Sequence, residues 1–288
     1  MVKQASVIIV SWNVKQLLEA NLSKIFSLTS AVSFEVIAID NGSVDGSAAM
    51  VRDQFPQVKL VQNDWDAGFA FSCNQGLRLA HGEICLLLNP DMLLEGGVLE
   101  KTYSELIRDK TIGVLGVKLT TADHVPIQSV RRFPDCGSQL AIVLKLARFF
   151  PKLVAQYMYT DFDYHTSRDV DQVRGSYFAF RHELLDKIGF LDEGFHIWFE
   201  EVDYCKRVQN LGLRIRYCAD VSCHDYVGKG VAKMKHAEKQ KIFTASMARY
   251  FKKWHPWWQY ALIQLARPIG IIGAYIADHY ESITGKHI

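Results

Sequence analysis

The chain has 288 residues, 49% hydrophobic and 22% charged, and its 33 Lys and Arg nearly cancel 31 Asp and Glu to leave a net charge of +2. This is ordinary for a folded soluble protein with a substantial core, in one large α/β domain or two small ones. It excludes the strong basic surplus that nucleic-acid recognition needs, and nucleic acid is not an expected partner. The six cysteines contain no Cys-x-x-Cys pair, and Met1–Ala5 runs straight into a strand-like segment, leaving no room for a signal peptide. A reducing cytoplasm is the expected compartment.

In chain order, β-branched or aliphatic runs at 6–10, 35–39, 58–61, 84–88 and 112–117 alternate with helical patterns at 14–28, 47–54, 71–80 and 97–108. Strands alternating with helices predict a Rossmann-like, mostly parallel sheet covered on both faces. Ligands of such sheets bind beyond the carboxyl ends of the strands. The residues there are polar: Ser11-Trp12-Asn13, then Asp40 to Gly46, then Asn63 to Phe69, then Asn89-Pro90-Asp91. Each loop alone is ordinary turn chemistry. Four on one sheet edge point to a nucleotide pocket.

Further on, residues 136–158 read as helical and apolar with basic residues interspersed. A strand at 173–180 and a short helix at 182–188 follow. A helix opens at the acidic segment Glu200-Glu201-Val202-Asp203 and stops at Gly212, before a last strand at 213–217.

The stretches SVIIVSWN, EVIAIDNGSVDGS, DAGFAFSCNQG, LLLNPDM, GFLDEGFHIWFEEVDYCKR and the region of His224 run in order over residues 5–225. With them the chain resembles the family 2 glycosyltransferases of the GT-A fold, in their rhamnosyltransferase-like branch. The resemblance implies an inverting, metal-dependent transfer from a nucleoside-diphosphate sugar, of dTDP or UDP type, to a glycan or lipid-linked hydroxyl in cell-surface polysaccharide synthesis. It places Asp40 on the nucleobase and Trp12 against it, with Ser11, Asn41 and Ser43 in support. Asp66 stands where relatives usually carry Asn. Asn89 and Asp91 match the family's variant of the DxD motif, whose Asp91 would bind Mg²⁺ or Mn²⁺ together with His224; Arg131 and Arg132 could assist the departing diphosphate. The family's catalytic acidic pair is here Glu200-Glu201. Glu201 takes the place of the catalytic aspartate, one methylene longer, and Asp203 is the alternative base. Gly175, Ser176, Asp192, Trp198 and Glu200, with Glu193 and His196 nearby, would shape the acceptor site. The expected division is a catalytic domain over 1–228, with a donor half to 120 and an acceptor half from 121, followed by a helical tail over 229–288.

That tail carries eight Lys or Arg against one Glu between Lys229 and Lys253, then Trp254, Trp257, Trp258 and Tyr260, then an apolar run. Basic residues, interfacial aromatics and apolar residues in that order suit a segment lying on an anionic membrane, peripheral on the inner face. Packing on the catalytic domain or in a dimer is the competing reading, and Arg267-Pro268 argues against a span. The absence of a QxxRW motif points to single transfers rather than processive synthesis. A catalytically decayed binding relative rests only on the Glu201 departure. A nucleotidyltransferase would carry a glycine-rich basic loop after the first strand, which SWNVKQLL is not.

Overall fold

The computed structural model describes residues 3–226 and 234–284. Lys229 and Lys233 of the basic run, and the expected boundary at 228, lie outside them. In chain order the elements are β1 (Ala5–Ser11), α1 (Lys15–Ser27), β2 (Phe34–Asn41), α2 (Ser47–Gln54), β3 (Lys59–Asn63), α3 (Phe69–Leu79), β4 (Ile84–Leu88), β5 (Met92–Leu94), α4 (Val98–Arg108), β6 (Ile112–Thr120) and β7 (Val130–Arg131). There follow α5 (Cys136–Val143), α6 (Lys152–Met158), β8 (Arg168–Val170), β9 (Gln172–Val173), β10 (Tyr177–Arg181), α7 (Leu184–Ile188), α8 (Glu200–Asn210), β11 (Arg214–Asp225), α9 (His236–Trp254) and α10 (Trp257–Thr284).

The main sheet runs β3-β2-β1-β4-β10-β6-β11-β5, with β8 added on β11. β1, β2, β3 and β4 pair in parallel, as do β6 and β11; β10 runs antiparallel between β4 and β6, and β5 antiparallel to β11. Side chains alternate across a strand, so one run feeds two cores. Val7 and Ile9 of β1 pack with Leu18, Leu22 and Ile25 of α1, while Ile8 and Val10 face Cys73 and Leu77 of α3. Each such fully buried aliphatic side chain contributes about 1.5–3 kcal/mol. The apolar periods of the first 120 residues therefore have one consistent solution.

Two expectations change. The helical pattern over 136–158 is interrupted: Lys145 takes a left-handed conformation at φ 59°, a short 3₁₀ turn covers Leu146–Arg148, and α6 starts only after Pro151. The last strand continues to Asp225, well past 217, and this extension carries His224 and Asp225 beside β5.

The tail is built onto the α/β part. Met247, Tyr250 and Phe251 of α9 share a core with Phe195, Phe199 and Val202, and Ile263 and Ala266 of α10 close it. α10 is one helix through Pro268, so Arg267-Pro268 does not interrupt it. Arg267 folds back to Gln264 Oε1 at 2.6 Å and Thr244 Oγ1 at 3.4 Å.

Candidate active site

A cleft of about 450 Å³ opens beyond the carboxyl ends of β1, β2 and β4. Its donor-side lining is Trp12, Asn41, Asp66, Asn89 and Asp91; its other wall carries Arg131, Arg174, Gly175, Ser176, Trp198, Glu200 and Glu201. Ser11 and Asp40 are register partners at the ends of β1 and β2, both about 1% exposed. Asp40 Oδ2 accepts the Ser43 amide at 3.2 Å, while Asp40 Oδ1 and Ser11 Oγ lack a partner. Desolvation by burial raises the Asp40 pKa. Ser43 Oγ accepts the Asn13 amide at 2.9 Å and knits the first two loops together. Asn41 clasps the third loop: its Oδ1 accepts from Ala67 N at 3.0 Å and Ser72 Oγ at 2.8 Å, and its Nδ2 donates to Asp66 Oδ1 at 2.6 Å.

Asp66 uses its second oxygen differently. It faces His196 Nε2 at 3.4 Å, across the cleft mouth. The hydrogen bond from His196 is the main cause holding the Asp66 pKa down, and Asp66 raises that of His196. Between them Gly68 has φ +85°, and a Cβ there would stand 2.7 Å from His196 Nδ1 and 2.9 Å from its carbonyl oxygen. Only glycine combines that backbone conformation with that approach. A carboxylate at 66, in place of the usual amide, is thus used to hold a histidine.

Opposite lies the acidic pair. Glu200 and Glu201 open α8, where the helix dipole favours negative charge. The preceding Trp198 and Phe199 have φ of 68° and 71°, a strained conformation for bulky residues. The α9 side holds them there: Phe243 packs on both rings, Tyr250 on Phe199, and Ser246 Oγ donates to the Ile197 carbonyl at 2.9 Å. The Oε2 atoms of both glutamates are buried without a partner. Desolvation raises both pKa values; repulsion by Glu201 adds to the rise at Glu200, whereas Arg131 and Arg174 partly offset it at Glu201. Of the two, Glu201 is the carboxyl next to cations and therefore the easier to ionise. A Cβ added to Gly175 would lie 3.6 Å from the Glu201 side chain, so the glycine leaves the space above that carboxyl open.

Of the expected site residues, Ser11, Asp40, Ser43, Asp192, Asp203 and His224 do not line the cleft, and the last three are engaged elsewhere. Asp203 is fully buried and accepts from Trp254 Nε1 at 2.8 Å and Arg207 Nε at 2.9 Å, with Lys253 Nζ at 2.7 Å. Three donors of α8 and α9 occupy its two oxygens, and Asp203 does not line the cleft where an acceptor would have to reach it. Asp192 is bound by Arg249 Nη2 at 2.6 Å and Lys253 Nζ at 3.3 Å and ties its loop to α9. His224 turns its Nε2 to Glu95 Oε1 at 2.9 Å, and its Nδ1 lies 2.9 Å from Thr120 Oγ1.

The physical reason at 224 is strand alternation, which sends His224 and Asp225 to opposite faces. Asp225 takes the cleft side, with Oδ2 3.0 Å from Arg174 Nη1, a cleft residue; its neighbour Tyr226 donates its amide to the Asp91 carbonyl at 3.1 Å. Asp91 and Asp225 are 6% and 4% exposed. Asp91, just before β5, and Asp225, at the end of β11, are buried carboxylates of the hard-oxygen type that Mg²⁺ and Mn²⁺ prefer. His224, Glu95 and His124 bring their ligand atoms within 4.8 Å of one another and form a separate group able to hold a metal ion. Asp225 was not among the residues expected from the sequence, because its parity depends on the length of β11. Arg174 was missed as well, hidden in a strand-like run.

A model of the family described as glycosyl transferase family 2 matches residues 6–189. The chain is 20% identical over 222 residues to the low-salt glycan biosynthesis hexosyltransferase Agl10 of Haloferax volcanii, covering 76% of this chain and 66% of that protein. It is 24% identical over 201 residues to an N-acetylglucosaminyl-diphospho-decaprenol L-rhamnosyltransferase of Mycobacterium tuberculosis, covering 65% of this chain and 64% of that one. The chain thus spans just under two thirds of the length of these relatives. In fold it is similar to the mannosyltransferase PcManGT from Pyrobaculum calidifontis, solved in complex with GDP-Man and Mn²⁺, at a TM-score of 0.57 and 20% identity, over 99% of this chain and 77% of that one. The architecture is of the GT-A type.

Proposed function

The chain belongs to glycosyl transferase family 2, and on that footing we propose that it is an inverting, non-processive transferase moving a sugar, rhamnose in the first instance, from a nucleoside diphosphate to a glycan or lipid-linked hydroxyl in cytoplasmic synthesis of a surface polysaccharide. The observation that carries the reading is a set of buried polar atoms without partners on residues of one cleft wall, Ser176 Oγ, Glu200 Oε2 and Glu201 Oε2, with Ser11 Oγ and Asp40 Oδ1 likewise unpartnered at the ends of β1 and β2. Buried polar groups are ordinarily satisfied, and leaving one unpaired costs about 1–3 kcal/mol. A nucleotide sugar and a hydroxylated acceptor would satisfy them. The relative named as a rhamnosyltransferase supports the sugar and the lipid-linked acceptor.

In this reading Asp40 accepts from the nucleobase, with Trp12 lining its face. Asp91 and Asp225 would hold a divalent cation, which when bound offsets charge on the departing diphosphate. Arg131 and Arg174 stand on the same wall and act in the same sense. Glu201 takes the acceptor proton as its oxygen attacks the anomeric carbon on the face opposite the leaving group, which inverts the configuration. A general base of this kind contributes about 10²–10⁴-fold. Burial and then repulsion by Glu201 raise the Glu200 pKa, so Glu200 resists adding a second negative charge to the pocket.

The test is a thermal-shift comparison of dTDP, UDP and GDP, each with and without Mn²⁺. Stabilisation that needs both a nucleotide and the metal is expected, near 2–3 kcal/mol at a hundredfold excess over Kd. No shift with any nucleotide, in either condition, would remove the transferase reading and leave a glycan-binding relative in its place.

A further inference from the structure

α10 spans 28 residues, about 42 Å at 1.5 Å per residue. One side packs on α9 and α5 through Ile263, Ala266, Gly270 and Ala274. The other exposes Leu265, Ile269, Ile272, Ile276 and Ile283 at 71%, 61%, 59%, 65% and 70%. Their spacing of three, four or seven residues makes one unbroken stripe. The three charged residues of the helix all turn the other way. Arg267 reaches Thr244; Asp278 accepts the His236 and Ala237 amides at 2.8 and 3.0 Å; Glu281 meets His236 Nε2 at 3.0 Å. The exposed face therefore carries no Asp, Glu, Lys or Arg, and the exposed His279 lies on it between Ile276 and Ile283.

A second apolar group lies next to it, in a different part of the chain. A Cβ on Gly270 would come within 2.6 Å of the Val143 carbonyl, so the end of α5 abuts the middle of α10. Lys145 Nζ then binds Gln240 Oε1 at 3.0 Å, and the chain turns outward into Leu146–Leu153. There Phe149, Phe150 and Leu153 are 73%, 58% and 52% exposed, with Arg148 and Lys152 exposed among them. At the flanks of the stripe stand Trp257 and Trp258, and Tyr275, whose hydroxyl accepts from Lys241 Nζ.

Patches of this extent are rarely left bare on a soluble protein. A helical partner or a second copy would be met by charged residues bordering the apolar seam, which set register and partner choice; α10 has turned its charges inward. Aromatics at the margins and cations among exposed phenylalanines are what an anionic lipid surface takes. We infer that the outer face of α10 and the Leu146–Leu153 turn form one lipid-binding platform that seats the protein on an anionic bilayer. α10 lies along that surface, because its inner face is committed to the catalytic domain. The same α9 that carries α10 also braces Trp198 and Phe199 at the acceptor wall. The platform does not depend on the donor assignment.

The experiment is flotation of the full chain with phosphatidylcholine vesicles, with and without phosphatidylglycerol, alongside light scattering for oligomeric state. Expected is monomeric protein rising with the anionic vesicles, and less with neutral ones. Phe149→Ser/Phe150→Ser should cut the partition coefficient at least about tenfold, as should Ile269→Gln/Ile272→Gln. Both pairs are exposed, and unchanged nucleotide-dependent thermal shifts would show that they fold. Because a variant could still misfold, quenching of Trp257 and Trp258 emission by brominated lipid gives a reading on the unaltered chain. Failure to float, or a stable dimer that Ile269→Gln/Ile272→Gln dissociates while vesicle binding persists, overturns the inference. Loss of nucleotide binding with intact flotation would instead count against the transferase reading alone.

Discussion

Glu201→Gln and Asp203→Asn separate chemistry from scaffolding within one turn of α8. Asp203 is wholly buried and faces three donors at 2.7–2.9 Å, two of them on cationic side chains. The amide keeps the volume but removes the charge, and it turns an NH₂ toward groups that can only donate. The Trp254 indole, Arg207 and Lys253 cannot all be satisfied. With Arg207 and Lys253 partly open to water, the loss should be about 2–4 kcal/mol, below the 3–5 of a fully desolvated pair. At about 2–4 °C per kcal/mol for a domain of this size, the Tm falls by about 4–16 °C. Glu201 is the converse case. Its Oε2 has no partner, its charged form is disfavoured by burial, and Gln fits the same space. Its Tm should hold or rise slightly, while turnover drops about 10²–10⁴-fold with donor binding intact. Scanning calorimetry and a coupled nucleoside-diphosphate release assay on both variants read the two effects. If Glu201→Gln keeps more than a tenth of the activity, or Asp203→Asn loses turnover with an unchanged Tm, the roles assigned here are wrong.

The rate should climb with pH through a value above the ordinary 4.5 of a glutamate, because burial raises the Glu201 pKa and the base must be ionised; an ascending limb at or below 4.5 would refute this. The fold also holds the Glu200 proton more tightly than the unfolded chain does, so that contribution to stability is complete below about pH 4.5 and is lost as pH rises through the folded-state pKa. Urea titrations should accordingly find Glu200→Gln gaining on the parent as pH rises from 5 to 8, and parallel curves would contradict it. Asp91→Ala and Asp225→Ala should each abolish the Mn²⁺-dependent part of the nucleotide thermal shift while His224→Ala retains it; the reverse pattern would restore His224 as the ligand. Gly68→Ala should destabilise by at least about 1 kcal/mol, from positive φ and the close His196 carbonyl, and a neutral result in chemical denaturation would exclude that strain.

The fold of the first 120 residues was legible because local rules decide it. Continuous apolar strands, amphipathic helices and turn residues after each strand recur with short periods, and a parallel sheet gathers those turns at one edge whatever follows. Asn89 and Asp91, expected from their place after a strand, do line the cleft. Which neighbour faces the cleft is a question of parity and partners, and tertiary structure decides it. One residue of alternation separates Asp225 from His224, and it could be read only once β11 was known to reach β5. Asp203 lies in the same acidic segment as Glu201, but a tryptophan, an arginine and a lysine claim it, two of them from a helix 50 residues away in sequence. The tail likewise reads in sequence as apolar and basic. That the charged residues of α10 turn inward, leaving its outer face bare, follows from docking against α9, a long-range contact no local pattern encodes.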